Sequence, residues 1–335
     1  MIWYKEQIDD DIVVSTRIRL ARNISGLPFP RVMNAEQKQK AVSTVRDAVI
    51  GGNSTLASMF DFTDINALSD MHKQSLIEEH IISPELAEKE GGALLRSNDG
   101  TMSIMLMEED CIRLQIIRGG LCLDEAWETA DKVDDVIEES VEYAFDSEFG
   151  YLTSCPTNTG TGLRASVMMH LPALVMAGNI SKVISSAGRL GIAVRGLYGE
   201  GSKSYGNLYQ FSNQVTMGNS EKEIIDKLKN IVNQIVSLEK QTRESIKKNN
   251  GEELEDKLWR SYGTLKFARK ISSSEAKTLL SDVMIGKNMG IINTGASLTE
   301  LMVMSEPAHI AESAGKQLTS AERDKKRAQM LRENI

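Results

Sequence analysis

The chain has 335 residues, 41% hydrophobic and 26% charged, with 47 acidic against 39 basic side chains and a net charge of −8. Such a composition excludes disordered, collagenous and low-complexity classes and suits roughly two domains of ~100–200 residues each. The acid excess argues against a whole-chain nucleic-acid binder, and three cysteines (Cys111, Cys122, Cys155) without a C-x-x-C pair suit a reducing cytoplasm and argue against zinc. No basic-then-apolar leader precedes Asp9, and the longest apolar stretch, Ala165 to Gly178, is interrupted by His170 and Pro172. A cytoplasmic protein with no membrane segment is expected.

From Ile12 to Leu20 the residues alternate as in a strand, which predicts Val13, Ser15, Arg17 and Arg19 on one face and Val14, Thr16, Ile18 and Leu20 on the other. A helix is predicted over 35–50, then strands over 101–107 and 111–117 meeting near Glu108, Glu109 and Asp110. The second of these strands would place Glu109, Cys111, Arg113 and Gln115 on one face. Trp127, Ala130, Val133, Ile137, Val141 and Ala144 recur at helical spacing, predicting a helix over 124–145 capped by Asp124. Short strands are expected around 183–186, 192–195 and 208–211.

After Gly218 the pattern becomes helical. Ser220 and Glu223 make a capping box before a long amphipathic run expected to end near Asn249, Asn250 and Gly251. Ser272 with Glu275, and Thr319 with Glu322, repeat the signature. The organisation read from this is a mixed α+β region over 1–248 and a mostly helical region over 249–335.

Between Glu148 and Glu200 there is no acidic residue, while Arg164, Lys182, Arg189 and Arg195 fall in the same span. A cationic, glycine-rich stretch in an acidic chain suits a polyanion, because amides and guanidinium groups stabilise phosphate oxygens together. Neither standard phosphate motif fits. Gly196 and Gly201 are followed by Ser202 and Lys203, one position late for a P-loop lysine, and Gly160-Thr-Gly162 lacks the downstream acid of a dinucleotide site. A phosphate cradle built on arginines remains, with Glu109 and Glu200 as nearby carboxylates.

Four stretches together carry a resemblance: Ser15 to Asn23, Glu108 to Arg113, Cys155 to Arg164, and Arg195 to Glu200. In order and spacing they resemble the phosphagen (guanidino) kinases, and within them the bacterial branch acting on protein arginine. Glu322 to Ala328 extends the likeness towards the carboxyl terminus. The resemblance implies a glutamine-synthetase-like catalytic domain, a mainly antiparallel sheet flanked by helices, followed by the helical domain. It implies ATP as phosphoryl donor with Mg2+, and no resident protein-bound metal. Ser15, Arg17, Arg19, His80, Arg113, Arg164 and Arg195 would bind the nucleotide, Glu109 would act as base, and Glu200 would be the second group orienting the acceptor guanidinium. Cys155 matches a family cysteine near the acceptor. Arg323, Asp324 and Arg327 would form a regulatory phosphoarginine site.

The implied partners are proteins with exposed arginines, an activator protein, a Clp-type protease receiving the marked proteins, and a second copy of the chain in a homodimer or larger assembly. Control of stress-response repressors, and no direct contact with nucleic acid or membrane, belong to the same expectation. The family commonly carries Asn and His where this chain has Met107 and Cys111. Two other readings remain open at this point: a small-guanidine kinase, disfavoured by only 14 residues preceding Ser15, and a non-catalytic phosphoarginine-binding adaptor, disfavoured by the intact acid and arginine set.

Overall fold

The computed structural model describes residues 2–6, 12–51, 56–196 and 204–335. Among the described residues ten strands are formed: β1 Val13–Arg22, β2 Phe60–Asp64, β3 Ala93–Ser97, β4 Met102–Leu106, β5 Ile112–Gly119, β6 Phe145–Asp146, β7 Gly150–Tyr151, β8 Leu163–His170, β9 Ile192–Gly196 and β10 Leu208–Asn213. Eight of them make one sheet in the order β2-β3-β4-β5-β1-β8-β10-β9, with every neighbouring pair antiparallel. β6 and β7 form a separate hairpin. The helices are α1 Ala35–Ile50, α2 Asp70–Glu78, α3 Pro84–Ala87, α4 Leu123–Glu138, α5 Pro172–Met176, α6 Ile180–Arg189, α7 Glu221–Phe267, α8 Ser273–Asn288, α9 Leu298–Met304, α10 Pro307–Ser313 and α11 Ser320–Asn334. This is the α+β arrangement expected, an antiparallel sheet flanked by helices and followed by a helical region.

Because side chains alternate along each strand, the two faces of the sheet differ in chemistry. Ile18, Leu20, Leu114, Ile116, Ala165, Val167 and Phe211 are buried with residues of α1, α4, α6 and the first half of α7 in the main core. The opposite face carries the polar and cationic residues in its middle. At one end it is covered by a second core, where Val14, Ile117, Met168 and Leu208 meet apolar side chains of α7, α8, α9 and α11.

Several local expectations are corrected. Residues 183–186 are helical, inside α6, because Ile180, Val183 and Ala187 are the buried set and their spacing has helical period, which a four-residue apolar window cannot reveal. α4 stops at Glu138 and has Cys122, not Asp124, at its N-cap. Asp124 lies in the first turn, where a carboxylate still favours the helix dipole, and pairs with Lys229. A β-bulge between Val13 and Ser15 turns Val13 into the helix-side core, so the polar face begins at Ser15. β5 begins at Ile112, leaving Glu109 and Cys111 in the preceding turn rather than on the strand.

The long helix is broken where the Asn249-Asn250-Gly251 signal lies, and a second helical stretch follows directly. α7 kinks at Asn250 (φ −140°, ψ 39°) and continues to Phe267. Leu254, Leu258, Ser261 and Leu265 recur every three or four residues and are buried, so packing supports a second helical stretch directly after the break at Asn250.

Candidate active site

The register of five adjacent strands collects the arginines. Arg19 on β1 lies directly opposite Arg164 on β8, and Arg17 is two residues along the same face of β1. Arg113 comes from β5 and Arg195 from β9, where it faces Gln210 of β10. All five line one cavity of ≈ 410 Å³. Like charges placed opposite each other destabilise a sheet, and their effect is visible in the side chains. Burial, then Arg164 and Arg113, push the Arg17 guanidinium down to about 10. Arg19 is driven well below its ordinary range by burial, then by Arg17, Arg113 and Arg164, and Arg164 is lowered by burial, then by Arg195 and Arg113. The buried Nε atoms of Arg19 and Arg164 have no hydrogen-bond partner among the described residues. Unsatisfied donors and crowded cations in one cavity fit a bound polyanion, which would supply both acceptors and neutralising charge.

A second cavity of ≈ 250 Å³ adjoins the first. It shares Arg19, Arg113, Arg164 and Arg195 with it, and adds Glu109, Cys155, Thr157 and Asn158. Glu109 is one-third exposed and reaches Arg113 at 3.2 Å. Burial, the largest influence, raises its carboxyl above the usual range; Arg113 works against this and Asp110 and Glu108 add to it. The turn bearing Glu109 is tightly held. Buried Glu108 accepts from Arg113, from Ser83 and from the Glu109 amide. Asp110 Oδ1 accepts from Asn23 Nδ2 at 2.7 Å and from the Ser154 amide at 2.6 Å, so one carboxylate ties the Glu109 turn, the end of β1 and the Cys155 loop together. Met107 and Cys111 close this turn, with the Met107 amide donating to the Cys111 carbonyl at 3.1 Å. Met107 adopts φ 61°, a conformation Asn tolerates better than Met.

Gly160 and Gly162 have a structural reason for being glycine. Both have positive φ, and an added Cβ would come within 2.4 Å of the Thr216 carbonyl oxygen at the first and 2.5 Å of Arg22 Nη1 at the second. Their near match to a dinucleotide motif reflects this close packing. Arg22 itself is buried, bonded to Asp134 at 2.7 Å and stacked over Tyr151 at 3.6 Å, which holds the loop's base.

On the other side of the cage, Ser15, Arg17, His80, Ile117, Ser166, Met168 and Gln210 surround a small cavity. His80 has φ 62° and lies 5.8 Å from the Trp3 ring. Burial, then Arg17 and Lys277, hold its imidazole neutral by pushing it down to about 3. The three cavities therefore run in sequence: a His80 end, an arginine middle reached through Arg17, and a carboxylate end at Glu109 and Cys155. A larger cavity of ≈ 930 Å³ between α1 and β2–β3 contains none of these arginines and mixes Lys38, Lys40 and Arg46 with Glu36, Asp64 and Glu90.

Of the predicted residues, Ser15, Arg17, Arg19, His80, Glu109, Arg113, Arg164 and Arg195 are brought to these connected cavities. Glu200 lies outside the described residues. Arg323, Asp324 and Arg327 are elsewhere, on α11. Arg327 is buried and donates to the Ser305 and Ile271 carbonyls and to Asp324 Oδ1, while Arg323 donates to the Leu318 carbonyl. The charged face expected there is thus partly turned inward. Sequence reasoning missed Gln210, Ser212 and Asn23. For the first two a signal existed: polar residues two apart in the otherwise apolar run 208–212. Among the described residues no cluster of three or more His, Cys, Asp or Glu is arranged to hold a metal ion, and no helix is long and apolar enough to cross a membrane.

Comparison with known proteins places these observations in a family context. The family model described as ATP:guanido phosphotransferase, C-terminal catalytic domain, matches residues 40–242, and that of the protein-arginine kinase McsB C-terminal domain matches 251–335. A protein-arginine kinase from Caldanaerobacter subterraneus is 47% identical over 328 residues, covering 97% of each chain. One from Bacillus cytotoxicus is 47% identical, covering 98% of this chain and 92% of the relative. Among solved structures, lombricine kinase is similar with a TM-score of 0.61 at 25% identity, covering 69% of this chain and 67% of its own.

Proposed function

Because the chain belongs to the ATP:guanido phosphotransferase family, we propose that it is a protein-arginine kinase transferring the γ-phosphoryl group of ATP to arginine side chains of other proteins. The observation that carries this reading is the set of five arginines around one cavity that shares four of them with a second cavity bearing Glu109 and Cys155, an arrangement suited to a polyphosphate beside an acceptor guanidinium.

The chemistry gives each part a reason. A guanidinium is protonated to very high pH and its nitrogen lone pairs are delocalised, so it attacks phosphorus only when aligned and relieved of a proton. Glu109 is the group for both tasks: it is reachable from solvent, fixed by the Arg113 contact, and made more basic by burial. Glu200 is assigned the second orienting role. Arg17, Arg19, Arg113, Arg164 and Arg195 neutralise the phosphates and the charge developing on the transferred group, being aimed at the site before reaction begins. His80 and Ser15 take the nucleoside side. Cys155, with Sγ 3.0 Å from Thr157 Oγ1, borders the acceptor end. Magnesium enters this reading as the counter-ion of the nucleotide.

The reading extends, on the family resemblance alone, to a regulatory phosphoarginine site at Arg323, Asp324 and Arg327. On the same ground it includes a division of roles between 1–248 and 249–335, a homodimer or larger assembly, an activator protein, cytoplasmic location, and delivery of marked proteins and stress-response repressors to a Clp-type protease. The central test is incubation with labelled ATP and an arginine-rich protein, with free arginine as a parallel acceptor. Acid-labile label mapping to arginine residues of the protein is the expected result. Label on free arginine alone would make the protein a small-guanidine kinase, and no label on either would leave a binding protein.

A further inference from the structure

Gln210 sits where the His80 cavity meets the arginine cavity and lines both. On β10 it faces Arg195 of β9 on one side and Met168 of β8 on the other. Its Oε1 accepts from Arg17 Nη2 at 2.6 Å. Two residues on, and so on the same face, Ser212 Oγ accepts from Arg164 Nη2 at 3.3 Å. Among the described residues, Arg113 is the one member of the five-arginine set with a carboxylate partner, in Glu108 and Glu109. The strand that contacts Arg17 and Arg164 thus offers them an amide and a hydroxyl, both uncharged.

We propose that Gln210, assisted by Ser212, is a positioning residue of the phosphate cage, orienting Arg17 through a neutral oxygen so that its full charge remains for the nucleotide polyphosphate. The inference rests on the kinase reading above and deepens it. A carboxylate at this position would grip Arg17 in a charge-assisted pair and compete with the phosphates for the same guanidinium. An apolar side chain would leave the long Arg17 side chain free among its rotamers, and ordering it would then fall to the ligand. An amide avoids both outcomes. Its oxygen fixes one guanidinium nitrogen while adding no charge, and the crowding that lowers the Arg17 guanidinium persists until an anion arrives.

The test compares Gln210→Glu with Gln210→Met in the full chain, reading the ATP dissociation constant by calorimetry together with KM for ATP and kcat. Inorganic tripolyphosphate serves as a probe free of the nucleoside. Gln210→Glu should weaken ATP and tripolyphosphate by roughly tenfold or more, whereas Gln210→Met should weaken them by about threefold or less and lower kcat instead. A residue that merely fills space predicts the opposite order, since Met differs more from Gln in chemistry and Glu is nearly isosteric with it. ATP binding by Gln210→Glu within about threefold of wild type, or equal losses in the two variants, would overturn the proposal. Should Gln210→Glu not fold, Gln210→Asn shortens the side chain and withdraws the oxygen from Arg17. A fall in kcat with little change in KM is then expected, and unchanged kcat overturns the assignment. The binding measurements stand apart from phosphoryl transfer, so a wild-type protein that binds ATP without forming phosphoarginine would sink the kinase reading while the Glu-against-Met contrast still judged Gln210.

Discussion

Arg19 and Arg164 face each other across β1 and β8, two like charges in direct register on the polar side of the sheet. Folding gains nothing from that juxtaposition, while a phosphate bound between them would. Arg164→Ala should therefore leave thermal stability unchanged or slightly higher while phosphoarginine formation falls by roughly 10²–10³, the scale of one lost transition-state donor. A variant that keeps more than a third of wild-type turnover would remove Arg164 from the cradle.

Glu109→Gln isolates proton acceptance from packing. Nucleotide binding should persist and turnover fall steeply. The raised carboxyl of Glu109 also sets a sign for pH dependence: a base works only when deprotonated, so kcat/KM should decline on acidification from a pH above the ordinary carboxylate range. That acidic limb should vanish from the residual activity of the variant. If the limb stays where it was, another group is the base.

Glu78 predicts a pH dependence of stability rather than of rate. Its carboxylate oxygens accept from the Ala308 and His309 amides, joining α2 to α10, and burial raises it to about 7. A carboxyl raised on folding stays protonated in the native state while the unfolded chain ionises. Stability from this group is present in full below the unfolded value and is lost as pH rises through the window from about 4.5 to about 7, by at most about 3 kcal/mol. Denaturant melts of wild type and Glu78→Gln across that window provide the check, and equal slopes in the two proteins would exclude Glu78 as the source.

Arg22 and Asp134 form a pair almost wholly removed from solvent. Arg22→Met should cost about 3–5 kcal/mol, because it strands Asp134 as a buried charge, and adding Asp134→Leu should return part of the loss. Equal stability of the single and double variants would show that packing over Tyr151, not charge, carries the effect.

On α11, Arg327 and Arg323 separate folding from regulation. Arg327→Ala should destabilise the helical region by about 1–3 kcal/mol, since the Ser305 and Ile271 carbonyls lose a charged donor, whatever the regulation. Arg323→Ala is expected to leave stability within about 0.5 kcal/mol of wild type while weakening phosphoarginine binding away from the active site. Unaltered binding in Arg323→Ala would count against the regulatory assignment.

Much of the fold was legible in the amino-acid order because the relevant physics is local. Alternation over 12–20 announces β1, and the capping boxes at Ser220, Ser272 and Thr319 are all formed as the spacing requires. The types of residue in the cage were legible for the same reason, since arginines at alternate strand positions must share a face. What the order could not supply was which strands become neighbours. Only the sequence of strands β5-β1-β8-β10-β9 sets Arg113, Arg19, Arg164 and Arg195 around one cavity and slips Gln210 between Arg17 and Arg195. Packing likewise decided that a second helical stretch follows directly after the break at Asn250, where Leu254, Leu258 and Leu265 are buried, and that Arg327 turns inward to the Ser305 and Ile271 carbonyls. Local preferences amount to tenths of a kcal/mol up to about 1 kcal/mol per residue, whereas burying one leucine contributes about 1.5–3 kcal/mol. Where the two disagree, the tertiary structure prevails.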